Sequence, residues 1–302
     1  MPERSATVDA DKGRLQHDLA AVVIDIDGTL VDTSTEVSVD DRAAAGELLA
    51  SDRALHLATG RNETSAARIA AQLPTTPPAI LYNGARLVDL STGEVHWEAR
   101  LPADEHEALI RLLSSGDLPA EPVVYSDDGV LVRRRESPVR ELLERDGTPA
   151  ELIPDLSATS GRPAIKWLLI TDPSEVSTLE ARLSEAVPRL TTTRSEPGYV
   201  EVLPPDVDKG AALLRLCELQ GYEPAHVAVA GDNPNDGPML EHAGLPLAVQ
   251  SADERLRDLA LAVLPDPPNG SLRTIVTWIL DDERGASGGR GGRASAHEQG
   301  AS

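Results

Sequence analysis

Short, unbroken apolar runs that stop at polar turns, each followed by a stretch with helical spacing, recur along this chain. Ala20 to Ile24 runs into Asp25, Ala54 to Ala58 into Thr59, Ala79 to Tyr82 into Asn83-Gly84, and His226 to Ala230 into Gly231-Asp232. A continuous apolar run of this length reads as a strand buried on both faces, and strand–helix alternation implies a parallel sheet covered by helices on both sides. The helices carry their own start signals. Ser38 caps Val39 to Ala50, with Asp40 and Asp41 in the first turn, Asn62 caps a stretch to about Gln72, and Asp208 caps one to about Gln220. A helix near Pro238 to Ala243, a strand over Leu245 to Val249, a helix from Asp253, a strand over Ala260 to Leu264 and a helix over Ser271 to Leu280 continue the series. The expected core is a doubly wound α/β sheet.

The middle has another rhythm. A helix over Ala103 to Leu113 precedes strands at Val123 to Ser126 and Val130 to Arg134, turned at Asp127-Asp128-Gly129. Ile165 to Ile170 is a further strand, followed by a helix over Ser174 to Ala186. Leu190 to Arg194 and Tyr199 to Leu203 pair through Glu196-Pro197-Gly198. Helices mixed with hairpins predict an α+β domain over 101–204, inserted between core segments 20–100 and 205–282. Residues 1–19 are polar and aperiodic, and 283–302 are rich in Gly, Ser, Arg and Ala, so both ends are expected to be flexible.

The 302 residues suffice for a sizeable core. No apolar run approaches the ~20 residues of a membrane span, and Met1 to Leu19 lacks a signal-peptide core, so a cytoplasmic protein is expected. The formal charge of −22 argues against nucleic acid or anionic membrane as partner. It also means that any anionic substrate must meet a local reversal of the field. The one cysteine, Cys217, sits among leucines and reads as a buried structural thiol.

Ligands of an open parallel sheet bind beyond the carboxyl ends of its strands. This sequence places Asp25-Ile26-Asp27-Gly28-Thr29-Leu30, Thr59-Gly60-Arg61 and Gly231-Asp232-Asn233-Pro234-Asn235-Asp236 there, with Lys209 opening a helix where its N–H groups favour an anion. Singly, each motif is explained as a turn, a strand exit or a helix start. Together they bring three or four carboxylates to one edge, where they repel unless a cation holds them. Oxygen ligands without Cys or His point to Mg²⁺.

These residues resemble the haloacid-dehalogenase-like (HAD) hydrolase superfamily. Asp25 to Leu30 is similar to its first motif, Thr59 to its second, Lys209 to its third, and Gly231-Asp232 to Asp236 to its fourth. Asn83-Gly84-Ala85 and the large insert before Lys209 resemble the Cof-type (IIB) phosphatase branch. The resemblance implies a Rossmann-like core with an inserted α+β cap, and a Mg²⁺-dependent phosphatase acting on a small phosphorylated metabolite such as a sugar phosphate. It implies Asp25 as nucleophile and metal ligand, and Asp27 as general acid and base with its main-chain oxygen on the metal. It implies Asp232 as the third ligand, Asp236 as support behind the metal, and Thr59, Lys209 and Asn235 as phosphate binders. A carboxylic acid at Asp27 can protonate a poor alkoxide leaving group and later activate water. Arg61 and Asn83 are candidate substrate contacts from the core, and Arg133, Arg134, Arg135, Lys166, Trp167 and Arg194 are weaker candidates from the cap.

Two rivals remain at this point. A phosphosugar mutase shares the motifs. A phosphoryl-accepting signalling domain also gathers acids, a Thr and a Lys at a sheet edge, but it is short and lacks an insert.

Overall fold

The computed structural model describes residues 19–116 and 118–288, with side chains described through Leu280. Most of the two terminal segments expected to be flexible, 1–18 and 289–302, lies outside the described residues. The larger sheet has eight strands in the order β14 (Ala262–Leu264), β13 (Leu245–Val249), β12 (Val227–Gly231), β1 (Ala21–Asp25), β2 (Ala54–Ala58), β3 (Ala79–Leu81), β4 (Arg86–Val88) and β5 (Val95–Glu98). From β14 to β3 every neighbouring pair is parallel. The chain winds outward in one direction from β1 to β3 and in the other from β12 to β14. The order therefore reverses between β1 and β12, the place where a doubly wound sheet opens a crevice for ligands.

β1, β2 and β12 are buried at every position, which is what their uninterrupted apolar runs require. β4 and β5 add an antiparallel extension at the far edge. The parallel sheet read from the sequence omits it, because Val95–Glu98 is mostly exposed and carries no apolar run. Helices α1 (Val39–Ala50), α2 (Glu63–Ala70), α6 (Lys209–Gln220), α7 (Gly237–His242), α8 (Glu254–Leu259) and α9 (Ser271–Gly288) accompany this sheet. α9 packs on α1, where Asp41 accepts hydrogen bonds from Ser38 and from the Arg273 amide. It runs past Leu280 into the segment expected as tail, since no proline interrupts the sequence there.

The second sheet has six strands in the order β10 (Thr191–Arg194), β11 (Tyr199–Leu203), β9 (Ala164–Thr171), β6 (Ala120–Ser126), β7 (Gly129–Val132) and β8 (Ala150–Leu152). Its pairs are antiparallel except β7 with β8. α3 (Ala103–Ser114) precedes these strands, and α4 (Val139–Asp146) and α5 (Val176–Ala186) lie between them in the chain. Strand alternation sorts the faces of this sheet. Val124, Trp167, Leu169, Val200 and Val202 join Leu109, Leu179 and Leu183 of α3 and α5 in a core of their own. Val123, Tyr125, Leu168 and Ile170 point the other way and are continuous with the main core. Lys166 and Glu201 share that second face, which looks onto the strand ends of the larger sheet.

Candidate active site

Asp25 is the last residue of β1 and is nearly fully buried. Lys209 is the first residue of α6, whose N-cap Asp208 accepts from the Ala211 amide at 2.7 Å. That start aims the Lys209 ammonium at two carboxylates, Asp25 Oδ1 at 2.5 Å and Asp236 Oδ1 at 2.6 Å. The other oxygen of Asp236 accepts from the amides of Asp232 at 3.0 Å and Asn233 at 3.1 Å. Asp236 thus ties the turn after β12 to the lysine. Asp232 takes one hydrogen bond from Thr29 Oγ1 at 3.2 Å and one from Asn233 Nδ2 at 2.7 Å.

Two glycines permit these approaches. Gly28 has φ +82°, and a Cβ there would lie 2.2 Å from an oxygen of Asp232. A Cβ on Gly210 would lie 2.5 Å from the Pro238 carbonyl oxygen, so the glycine lets α6 meet α7 behind Lys209.

Carboxylate oxygens of Asp25, Asp232 and Asp236 lie within 4.8 Å of one another. Burial pushes the Asp25 carboxyl well up, Lys209 pulls it back, and Asp236 and Asp232 push it up again. Burial and the neighbouring Asp236 push Asp232 up to about 8. Burial works against the Lys209 ammonium, but Asp236 and Asp25 hold its pKa well above the usual lysine range. One lysine among three crowded carboxylates leaves an electrostatic deficit. An oxygen-only donor set of this kind fits a hard divalent cation.

The Asp27 carboxylate stands outside this group of three. Its carboxylate accepts from Arg61 Nε at 2.8 Å and Nη2 at 2.6 Å. Burial raises its pKa, but the hydrogen bonds and charge of Arg61 outweigh this and hold it below the usual range. Thr59, at the end of β2, is buried, and its hydroxyl accepts from the Arg61 amide at 3.1 Å. Asn235 donates from Nδ2 to Asn83 Oδ1 at 2.9 Å, leaving Asn235 Oδ1 and Asn83 Nδ2 buried without partners. Asn83 is in the left-handed region at φ +54° and lies behind Asn235, 1% exposed.

Asp25, Asp27, Thr59, Arg61 and Asn235 line one cavity of about 60 Å³, roofed by Tyr125, Arg145, Lys166, Glu196 and Glu201 of the second sheet and its helix α4. Lys166 is buried beneath that roof, donating to Glu201 at 2.7 Å and to the Gly60 carbonyl at 2.8 Å. Arg145 pairs with Glu196 at 2.6 Å and with Asp146 at 3.3 Å. The remaining cap candidates lie away from the cavity. Arg133 and Arg134 pair with Glu121, Arg135 donates to the Ala150 carbonyl, and Arg194 pairs with Glu180. Trp167 sits in the core of the second sheet. Arg145, Asp146 and Glu196 were missed from sequence. The available signal was the spacing of Val139 and Leu142, which anchors α4 and so fixes where Arg145 points.

Among the described residues no helix is long and apolar enough to cross a membrane. A family model described as haloacid dehalogenase-like hydrolase matches residues 22–274. The HMP-PP phosphatase of Escherichia coli is 28% identical over 245 residues, covering 81% of this chain and 87% of that one. The crystal structure of a Thermotoga maritima protein superposes with a TM-score of 0.73 at 27% identity, covering 85% of this chain and 96% of that one. A sugar phosphatase of HAD subclass IIB shares the fold, with a TM-score of 0.71 at 19% identity over 88% and 98% of the two chains. With its doubly wound core, its second sheet above the strand ends and its motifs at the switch point, this chain belongs to the haloacid dehalogenase-like hydrolase family and is an enzyme of its phosphatase kind.

Proposed function

We propose that this enzyme hydrolyses the phosphate monoester of a small metabolite through an aspartyl phosphate on Asp25. The observation that carries the reading is the Lys209 ammonium, held between Asp25 and Asp236 in a buried pocket, with Asp27 on the cavity side. The relative and the structural neighbour named as phosphatases of small phosphorylated compounds support it.

Asp25 attacks phosphorus, forming a carboxylate O–P bond as the bond to the leaving alkoxide breaks. Asp27 gives that alkoxide its proton. In the second half Asp27 takes a proton from water, whose oxygen attacks the same phosphorus and returns Asp25 as a carboxylate. Lys209, Thr59 and Asn235 bind the phosphoryl oxygens, and the ammonium offsets charge that moves during transfer. Asp25, Asp232 and the main-chain oxygen of Asp27 would hold Mg²⁺, which when bound supplies electrostatic stabilisation of the phosphoryl group. Asp236, with both oxygens already engaged, supports Asp232 and Lys209.

The test is phosphate release from a panel of phosphorylated metabolites with Mg²⁺, with the phosphoenzyme trapped and mapped. Label on Asp25 is expected, and neither label nor release from Asp25→Asn. Label on a Ser, Thr or His, or a burst from Asp25→Asn, overturns the mechanism. Isomerisation of a phosphate ester with little release would make the enzyme a mutase instead.

A further inference from the structure

Acidic residues outnumber basic ones 50 to 28 in this chain. Yet Arg42, Arg61, Arg68 and Arg145 line a single cleft of about 330 Å³, with Glu36 the one carboxylate in its wall among the described residues. The cleft adjoins the catalytic cavity, because Arg61 and Arg145 line both. Its walls are the loop after β1, the first turn of α1, the outer face of α2 and the end of α4.

Two of the four guanidiniums are engaged, Arg61 by Asp27 and Arg145 by Glu196 and Asp146. Arg42 and Arg68 have no carboxylate partner among the described residues. Arg68 lies against the end of α4. Its guanidinium lies so close to Gly147, the residue ending α4, that a Cβ there would fall 1.7 Å from Nη1. The opposite wall is fixed, since Gln72 donates to the Thr35 carbonyl at 3.1 Å and accepts from the Val37 amide at 2.9 Å. The bland explanation is a solvated arginine at each position, with Arg68 offsetting the partial negative charge at the end of α4. It covers Arg42 and Arg68 taken singly, but not the gathering of four arginines around one cleft of an acidic protein.

Unpaired guanidiniums in a shaped cleft are suited to bidentate capture of carboxylate or phosphate. The position of the cleft says which group would reach it. Asp27 stands where the leaving oxygen is protonated, and Arg61 leads from Asp27 into the cleft. We propose that the cleft is a second anion subsite, in which Arg42 and Arg68 bind an oxyanionic group carried by the leaving group of the substrate. The substrate is then a phosphorylated small acid or a bisphosphate. This rests on the hydrolytic reading given above, and it also supplies the local reversal of field that an anionic substrate needs.

The test uses matched pairs that differ in that one group. 3-Phosphoglycerate is compared with glycerol 3-phosphate for a carboxylate, and fructose 1,6-bisphosphate with fructose 6-phosphate for a phosphate. In at least one pair the anionic member should have the higher kcat/KM, by about tenfold or more, the scale of a charge-assisted hydrogen bond or two. The Arg42→Gln/Arg68→Gln enzyme should bring that ratio towards one, and Arg68→Lys should keep part of it. Both side chains are exposed, so folding is not at stake. No preference in either pair overturns the subsite, and so does a ratio that the double variant leaves unmoved, as simple steering of all anions would. If the unaltered enzyme releases phosphate from none of the four, the hydrolytic reading is decided by the wider metabolite panel and not by these esters. Calorimetric titration with 3-phosphoglycerate then decides the subsite: weaker binding to the double variant supports it, and equal affinity overturns it.

Discussion

Arg61 grips both carboxylate oxygens of Asp27, through Nε at 2.8 Å and Nη2 at 2.6 Å, while Nη1 donates to Ser65 at 2.8 Å. The guanidinium therefore fixes where the Asp27 carboxylate points, and through Ser65 it is itself anchored to α2.

The first prediction follows from that grip. Arg61→Gln should lower kcat/KM for an alkyl phosphate by about 10–100-fold, a fraction of the 10²–10⁴ attributable to a positioned acid–base group. A p-nitrophenyl ester needs little protonation and should lose much less. Steady-state kinetics on both esters check this. Equal losses would mean that Arg61 serves the phosphoryl group and not Asp27.

A second prediction concerns the cation. Activity should vanish in EDTA and return with Mg²⁺ but not Ca²⁺, whose larger and looser coordination spoils in-line geometry. Stability should report the same site. At a hundredfold excess over Kd, Mg²⁺ should stabilise the unaltered protein by about 2.7 kcal/mol. Asp232→Asn removes one crowded carboxylate, so without metal it should unfold no sooner than the unaltered chain and should gain little from Mg²⁺. Thermal melts with and without the ion are decisive. A full Mg²⁺ response in the variant would remove Asp232 from the site.

A third concerns the roof. Lys166 and Glu201 are both nearly fully buried and paired at 2.7 Å, and Ser195 Oγ donates to Glu201 at 2.9 Å. Lys166→Met should cost about 3–5 kcal/mol, because it leaves a buried carboxylate uncompensated. Adding Glu201→Gln should restore most of that loss. Neither variant can donate to the Gly60 carbonyl, so both should show a raised KM. Urea unfolding together with kinetics separates the two effects, and a double variant as unstable as the single one would contradict the pairing.

The fourth is a pH dependence of stability. His56 is completely buried on β2, with Nδ1 3.0 Å from the Pro78 carbonyl oxygen and Nε2 3.3 Å from the Tyr222 hydroxyl. Burial lowers its pKa, and the carbonyl only partly opposes this. The folded state therefore binds fewer protons than the unfolded chain once the pH falls below the unfolded value of about 6.5. Stability should be intact above that pH and decline as the medium acidifies towards the folded pKa. His56→Gln should flatten this decline in melts taken across that window, and an unchanged slope would assign the acid sensitivity elsewhere.

The parts of the fold that were legible in the sequence are those where one physical signal dominates. Buried parallel strands such as Val22 to Ile24 leave unbroken apolar runs, and Ser38, Asn62 and Asp208 mark the helix starts they cap. Asp25 and Asp232 could be placed at one edge because both strands stop at a carboxylate. The antiparallel β4 and β5 were not legible, since β4 is only three residues long and begins with an arginine, and the edge strand β5 is mostly exposed and carries little apolar signal. The roof was the least legible part. Arg145 and Glu196 are far apart in sequence and face the cavity only because α4 and the turn after β10 are brought together by the sheet. The three consecutive arginines that stood out in sequence lie away from the cavity, Arg133 and Arg134 on Glu121 and Arg135 on the Ala150 carbonyl.

Asp25 and Lys209 meet from positions 184 residues apart, and β1 has β2 on one side but waits for β12 on the other. On the ribosome this order has a consequence. The strand ending at Asp25 emerges early and pairs on one edge only, while the whole second sheet is made before Val227 arrives to cover the other. An unpaired strand edge is a template for pairing with other chains, and here it lasts until β12 is made. A chain that stops anywhere within 101–204 holds Asp25 and Asp27 but neither Lys209 nor Asp232, so the four side chains come together only when translation is nearly complete.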